Sequence, residues 1–151
     1  MRIASHLLKF KRFDECRAKL DPLADFELWF WMGLSAGTTI VNAALHAAGI
    51  TEENDYFASQ IPDVYVAAAD GGTWQQKLAV DSDIIHVGFL RTNKTLPPAF
   101  VDAFSAMEVI EHYRDPCVRG EEPITPKVIG DCDTAYRKVV ALTRYRSHRS
   151  P

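Results

Sequence analysis

The segment from Leu28 to Gly49, LWFWMGLSAGTTIVNAALHAAG, constrains the fold more than any other part of the chain. It is the one long apolar run, and no Asp, Glu, Lys or Arg interrupts it. About 18 such residues suffice to span a bilayer, yet the polar residues inside the run are ordered. Ser35, Thr39, Asn42 and His46 recur at helical spacing and share one face. Gly33 and Gly37 lie one turn apart, a spacing that lets another helix approach closely. A lone span would need apolar contacts to lipid all round. The run is therefore expected as a central buried helix, without a membrane partner, and Gly49 as its stop, because glycine readily takes the left-handed conformation that ends helices.

A chain of 151 residues, 47% hydrophobic and 25% charged, is expected to be one domain over residues 1–151 with a core of its own. Cys16, Cys117 and Cys132 form no close pair. An odd, dispersed set of thiols and no visible secretory signal point to a cytoplasmic protein. The net charge of −3 hides an asymmetry. Residues 1–20 carry six Lys/Arg against two Asp/Glu, and residues 21–86 carry one against ten. Beyond Asp133 no acid remains. Basic ends around an acidic middle suggest solvated helix faces or a surface for phosphates, with Lys9, Arg12, Lys19, Arg137 and Arg144 as its candidates.

Periodicity predicts a first helix over residues 3–20, with Ile3, Leu7, Phe10, Phe13, Cys16 and Leu20 as its apolar stripe. Asp21 and Pro22 break it, and the second helix follows from about Leu23 to Ala48. Pro62 and Asp63 open an expected short helix through VYVAAA, and Thr73 caps another containing Trp74, Leu78 and Ala79. The run IIHVGF (84–89) fits strand or loop. Pro97 and Pro98 start a strong helix with Phe100, Phe104, Met107 and Ile110 inside. A linker is expected from Pro116 to Gly130, then a last helix capped by Asp131 or Asp133, with Tyr136, Val139, Val140 and Thr143 inward. The fold class is an all-α, up-and-down bundle of four to six helices with a small irregular insertion over about residues 62–96.

The chain has no glycine-rich phosphate loop, no nucleophile elbow, no HExxH and no CxxC. Glu108 and His112 share a helix face, but no second helix repeats the pair, and His6 and His46 lack a carboxylate three residues earlier. No metal site and no cofactor are expected on that ground. Neither Arg2/His6 nor Arg144/His148 has the spacing of the HEPN nuclease motif. The polar face of Ser35, Thr39, Asn42 and His46 is either a structural hydrogen-bonding seam or the lining of a ligand pocket. The expected function is a self-associating, non-catalytic interaction module, a homodimer through the apolar helix. A nucleic-acid or nucleotide partner held by the basic ends is the alternative, and a metal-dependent enzyme the third.

Overall fold

The computed structural model describes residues 1–53, 65–67, 74–76, 80–85 and 90–147, with side chains outside residues 65–67, 74–76 and 142–147. The element order is α1 (Ile3–Arg17), α2 (Phe26–Ala47), β1 (Tyr65–Ala67), β2 (Trp74–Gln76), α3 (Pro98–His112), one π-helical turn (Arg114–Arg119) and α4 (Pro126–Ser147). Among the described residues the architecture is all-α, four helices with one short antiparallel ribbon that pairs Tyr65 with Gln76.

Helix α2 is the centre of the bundle: α1, α3 and α4 all pack on it, and α3 also packs along α4. Its buried residues include Phe26, Trp29, Phe30, Leu34, Ile40, Val41 and Leu45, on several sides of the helix, as a helix with three neighbours requires. Among the described residues it is the one helix long and apolar enough to cross a membrane, and 67% of its most apolar window is buried inside the fold. The small residues serve contacts within the chain. A Cβ on Gly37 would stand 2.3 Å from the Met107 sulfur, and one on Gly33 would stand 2.9 Å from Arg17 Nε. The close approach read from the sequence is thus made by α3 and by the last side chain of α1.

Several expected boundaries move. Helix α1 ends at Arg17, and its buried face is His6, Phe10 and Arg17, whereas Leu7 is 44% exposed. His6 is inside because it meets the buried Asp83 carboxylate, and Arg17 because it meets the half-buried Asp133 carboxylate. Helix α2 starts at Phe26 because the Asp21 carboxylate accepts the N–H groups of Leu23 (2.8 Å) and Ala24 (2.9 Å), forming a turn of its own. Those same N–H groups, Ala24 first and then Leu23, hold the Asp21 carboxyl below its ordinary value. Of the helices expected through VYVAAA and after Thr73, the described parts are corrected to strands β1 and β2, where β-branched and aromatic content outweighed the capping signals, and Leu78 and Ala79 lie outside the described residues. In IIHVGF, Ile84 and Ile85 are irregular and residues 86–89 lie outside the described residues.

Helix α3 buries Phe100, Ala103, Ala106, Met107 and Ile110, with Phe104 half-buried. Helix α4 begins at Pro126, a residue suited to a first helical position, so the expected linker contracts to the π-helical turn and residues 120–125. Asp131 and Asp133 are consequently not caps. They lie inside α4 and pair one turn away with Lys127 (2.5 Å) and Arg137 (2.8 Å). Tyr136 and Val139 are buried and Val140 is half-buried, while the Thr143 side chain lies outside the described residues.

Candidate metal centre

Helix α2 ends in a tight reversal that begins at Gly49. Gly49 takes φ +66°, its N–H donates to His46 C=O (2.9 Å), and Ile50 N–H donates to Leu45 C=O (3.0 Å). This is a Schellman turn, sealed by the buried pair Ile50 and Leu45. It returns the chain over the last turn of α2, so that the Thr51 hydroxyl lies 2.8 Å from His46 Nδ1. One turn earlier, Asn42 binds the backbone of Ile84 at both ends: its amide nitrogen donates to Ile84 C=O (2.7 Å) and its amide oxygen accepts Ile84 N–H (2.9 Å). That reciprocal pair stands where a strand partner would and presents the preceding residue, Asp83, to the helix.

Asp83 is the convergence point. Its Oδ1 lies 2.7 Å from His46 Nε2 and 3.1 Å from His6 Nε2, and its Oδ2 accepts from the amino group of Met1. The three side chains are almost fully enclosed, at 3%, 0% and 4% exposure for His6, His46 and Asp83. The two imidazole rings stand 5.2 Å apart and tilted. Burial pushes the Asp83 carboxyl up, but hydrogen bonds from His46, His6 and the Met1 amino group outweigh it and hold the group well below the usual carboxylate range. His6 Nδ1 is buried and without a partner among the described residues.

The segment carrying Asp83 is clamped. Glu52 N–H donates to Asp81 C=O (2.7 Å), Asp81 N–H donates to Arg91 C=O (3.0 Å), and the Lys94 ammonium donates to the carbonyls of Gly49 (2.9 Å) and Ile50 (3.0 Å). Asp81 itself has φ +55°, in the left-handed region that aspartate tolerates better than most residues. The Glu53 carboxylate accepts Ile3 N–H (2.7 Å), which fastens the start of α1 to the same neck.

A His–His–Asp set whose donor atoms lie within 4.8 Å of one another is a metal-ligand constellation. A tetrahedral zinc ion about 2.0–2.2 Å from each donor has donor–donor edges of about 3.3–3.5 Å. The observed 2.7 and 3.1 Å fall short of that by about 0.6–0.8 and 0.2–0.4 Å, so His46 and Asp83 must part as an ion enters. The surrounding bonds to His46 Nδ1 and to the backbone of Ile84 and Asp81, on either side of Asp83, are of the kind that orient ligands.

Of the residues singled out in the sequence, Asn42 and His46 are buried and paired across the fold, so that half of the polar face is a seam. Thr39 is buried but returns its hydroxyl to Ser35 C=O of the same helix (2.6 Å), and Ser35 is half-buried. Lys9, Arg12, Lys19 and Arg137 are exposed, and the Arg144 side chain lies outside the described residues. Where α1 meets α4, carboxylates intervene between the cations: Arg17 forks onto Asp133 (3.1 Å), and Tyr136 donates to Asp14 (2.6 Å). A cavity of about 550 Å³ opens there beside Trp29 and Arg137. Sequence reading missed Asp83 and the pairing of His6 because the donors come from three distant segments. The one available signal was His6 on the same face as Phe10, an imidazole where an apolar residue is expected. Compared with known proteins, the chain matches no family model, no curated protein and no solved structure.

Proposed function

We propose that this chain is a divalent-metal-binding helical protein whose ion is held by His6 Nε2, His46 Nε2 and an Asp83 oxygen. The convergence of two buried imidazoles on one buried carboxylate oxygen is the observation that carries the reading. Two neutral nitrogens and one carboxylate suit zinc and its neighbours in the first transition row, not calcium or magnesium, which take oxygen donors. Three protein donors leave a fourth tetrahedral position for water or a further ligand. Enclosure of all three side chains sets this site apart from an open hydrolytic centre and favours a structural or stored ion. Because the ligands come from α1, α2 and the neck at residues 80–85, binding free energy adds to the stability of the fold.

The test is equilibrium dialysis of the full chain against Zn²⁺, Co²⁺, Mn²⁺ and Mg²⁺, with metal content measured per chain. One equivalent of zinc or cobalt, lost in His46→Ala and Asp83→Asn, is expected. Failure of the wild-type chain to retain any of these ions above the level of either variant refutes the reading. Self-association stays as a second reading, supported by Leu7, Leu8, Leu23 and Leu28, which are 44–58% exposed. Sedimentation velocity at tens of micromolar, where dimers of ordinary affinity persist, decides it: a single monomeric species removes it.

A further inference from the structure

Resting on the metal reading above, a second step concerns which histidine anchors the ion. We propose that Thr51 is the positioning residue of the site: its hydroxyl lets His46 exchange tautomers, which makes His46 the anchoring ligand and His6 the labile one.

A carboxylate only accepts, so in the metal-free site the Asp83 oxygen 2.7 Å from His46 Nε2 requires a hydrogen on Nε2. In the neutral ring Nδ1 then carries a lone pair, and the Thr51 hydroxyl 2.8 Å away donates to it. A metal ion needs the lone pair on Nε2 instead. The ring must lose the Nε2 hydrogen and gain one on Nδ1, a tautomeric exchange that leaves its proton count and charge unchanged. A hydroxyl is both donor and acceptor, so Thr51 turns its hydrogen away and accepts from Nδ1–H at the same distance. Every polar atom of His46 is satisfied before and after.

His6 has no such residue among the described ones. Its Nε2 also faces Asp83 (3.1 Å), and its Nδ1 is buried without a partner among the described residues. Without metal the orphan is a lone pair. With metal it becomes a buried N–H that nothing accepts, and buried donors are the costlier group to leave unpaired. The two histidines therefore differ in a way that their shared contact with Asp83 conceals. The backbone supports the distinction, because the Schellman turn at Gly49 holds the Thr51 backbone over the last turn of α2, with Thr51 N–H donating to Leu45 C=O (3.4 Å).

The experiment uses the full chain and Co²⁺ as a spectroscopic probe, with Zn²⁺ in competition. Thr51→Val keeps the shape and removes the hydroxyl, and Thr51→Ser restores it. Loss of a ligand-orienting partner lowers metal affinity about 10- to 100-fold, so Thr51→Val is expected to fall in that range and Thr51→Ser to return to within a few-fold of wild type. Wild-type affinity in Thr51→Val overturns the proposal. Should Thr51→Val fail to fold, nitrogen-15 spectra of the wild-type imidazoles carry the test: the His46 hydrogen is expected on Nε2 without zinc and on Nδ1 with it. A hydrogen that stays on Nε2 in the zinc-bound protein removes His46 Nε2 as a ligand and overturns both this proposal and the ligand set on which it rests. Failure of wild type to bind either ion refutes the metal reading itself, whereas binding that ignores Thr51 refutes only this step.

Discussion

Replacing Gly37 by alanine tests what the small residues of α2 are for. An added Cβ would lie 2.3 Å from Met107 Sδ and 2.8 Å from its Cε, and Met107 is fully buried. Side chains forced into a filled core cost about 1–3 kcal/mol. Against this, alanine gains about 1 kcal/mol over glycine in a helix interior. The net expectation for Gly37→Ala is a loss of about 0–2 kcal/mol, which for a chain of this length lowers the melting temperature by anything from nothing to about 4–8 °C. The single variant is therefore a blunt instrument, and a double-mutant cycle sharpens it. In a Met107→Ala background, itself about 2–5 kcal/mol less stable, the clash is gone and only the helix gain remains. Gly37→Ala should there stabilise by up to about 1 kcal/mol, and the coupling between the sites equals the overpacking term of about 1–3 kcal/mol. Denaturant titration of the four proteins measures it. Equal effects of Gly37→Ala in both backgrounds would refute the reasoning. A change confined to the sedimentation coefficient would instead return the glycine to an interface between chains.

Three further outcomes follow from contacts already described. The folded-state pKa of Asp83 lies below its unfolded value, so its contribution to stability is complete above about pH 4 and is lost as the pH falls below that; in chelator, the stability gap between wild type and Asp83→Asn should narrow from pH 6 to pH 3, and a constant gap contradicts the assignment. Burial pushes the Cys132 thiol up to about 12, so a thiol reagent at about pH 8 should modify it only on unfolding, after Cys16 and Cys117; equal labelling of all three thiols in the folded protein contradicts its burial. The Arg17 guanidinium lies 4.0 Å from the Trp29 ring and 4.3 Å from the Tyr136 ring, and Arg17→Lys should cost about 1–2 kcal/mol because an ammonium cannot stack flat while forking onto Asp133; an unchanged denaturation midpoint refutes this.

Legibility from sequence followed the range of the interactions. Helix α2, its stop at Gly49 and the core face of α3 were readable because each depends on residues within a few turns of one another. The start of α2 was misread because the Asp21 carboxylate builds a turn that competes with the helix. In α4, the acids at 131 and 133 resembled caps but are rungs in ladders with Lys127 and Arg137. The site was only half visible. Asn42 and His46 announced a polar seam, but what they bond to lies 42 and 37 residues away. Hydrophobic periodicity carries no record of such distances, and His6 was hidden by an apolar stripe drawn one position off.

The neck at residues 49–53 and 80–85 has a consequence for how the chain can change. Its ends are fixed to each other by the Glu52–Asp81 backbone bond and by Lys94, whose ammonium donates to the Gly49 and Ile50 carbonyls and pairs with the Asp81 carboxylate at 3.4 Å. Once two ends are held, the entropy of the intervening loop rises only with the logarithm of its length, about 0.6 kcal/mol for each doubling. The neck is thus a socket: lengthening the chain that joins Glu53 to Val80 raises the closure cost of this clamp only by that logarithmic amount, while Glu53 keeps its hold on Ile3 N–H.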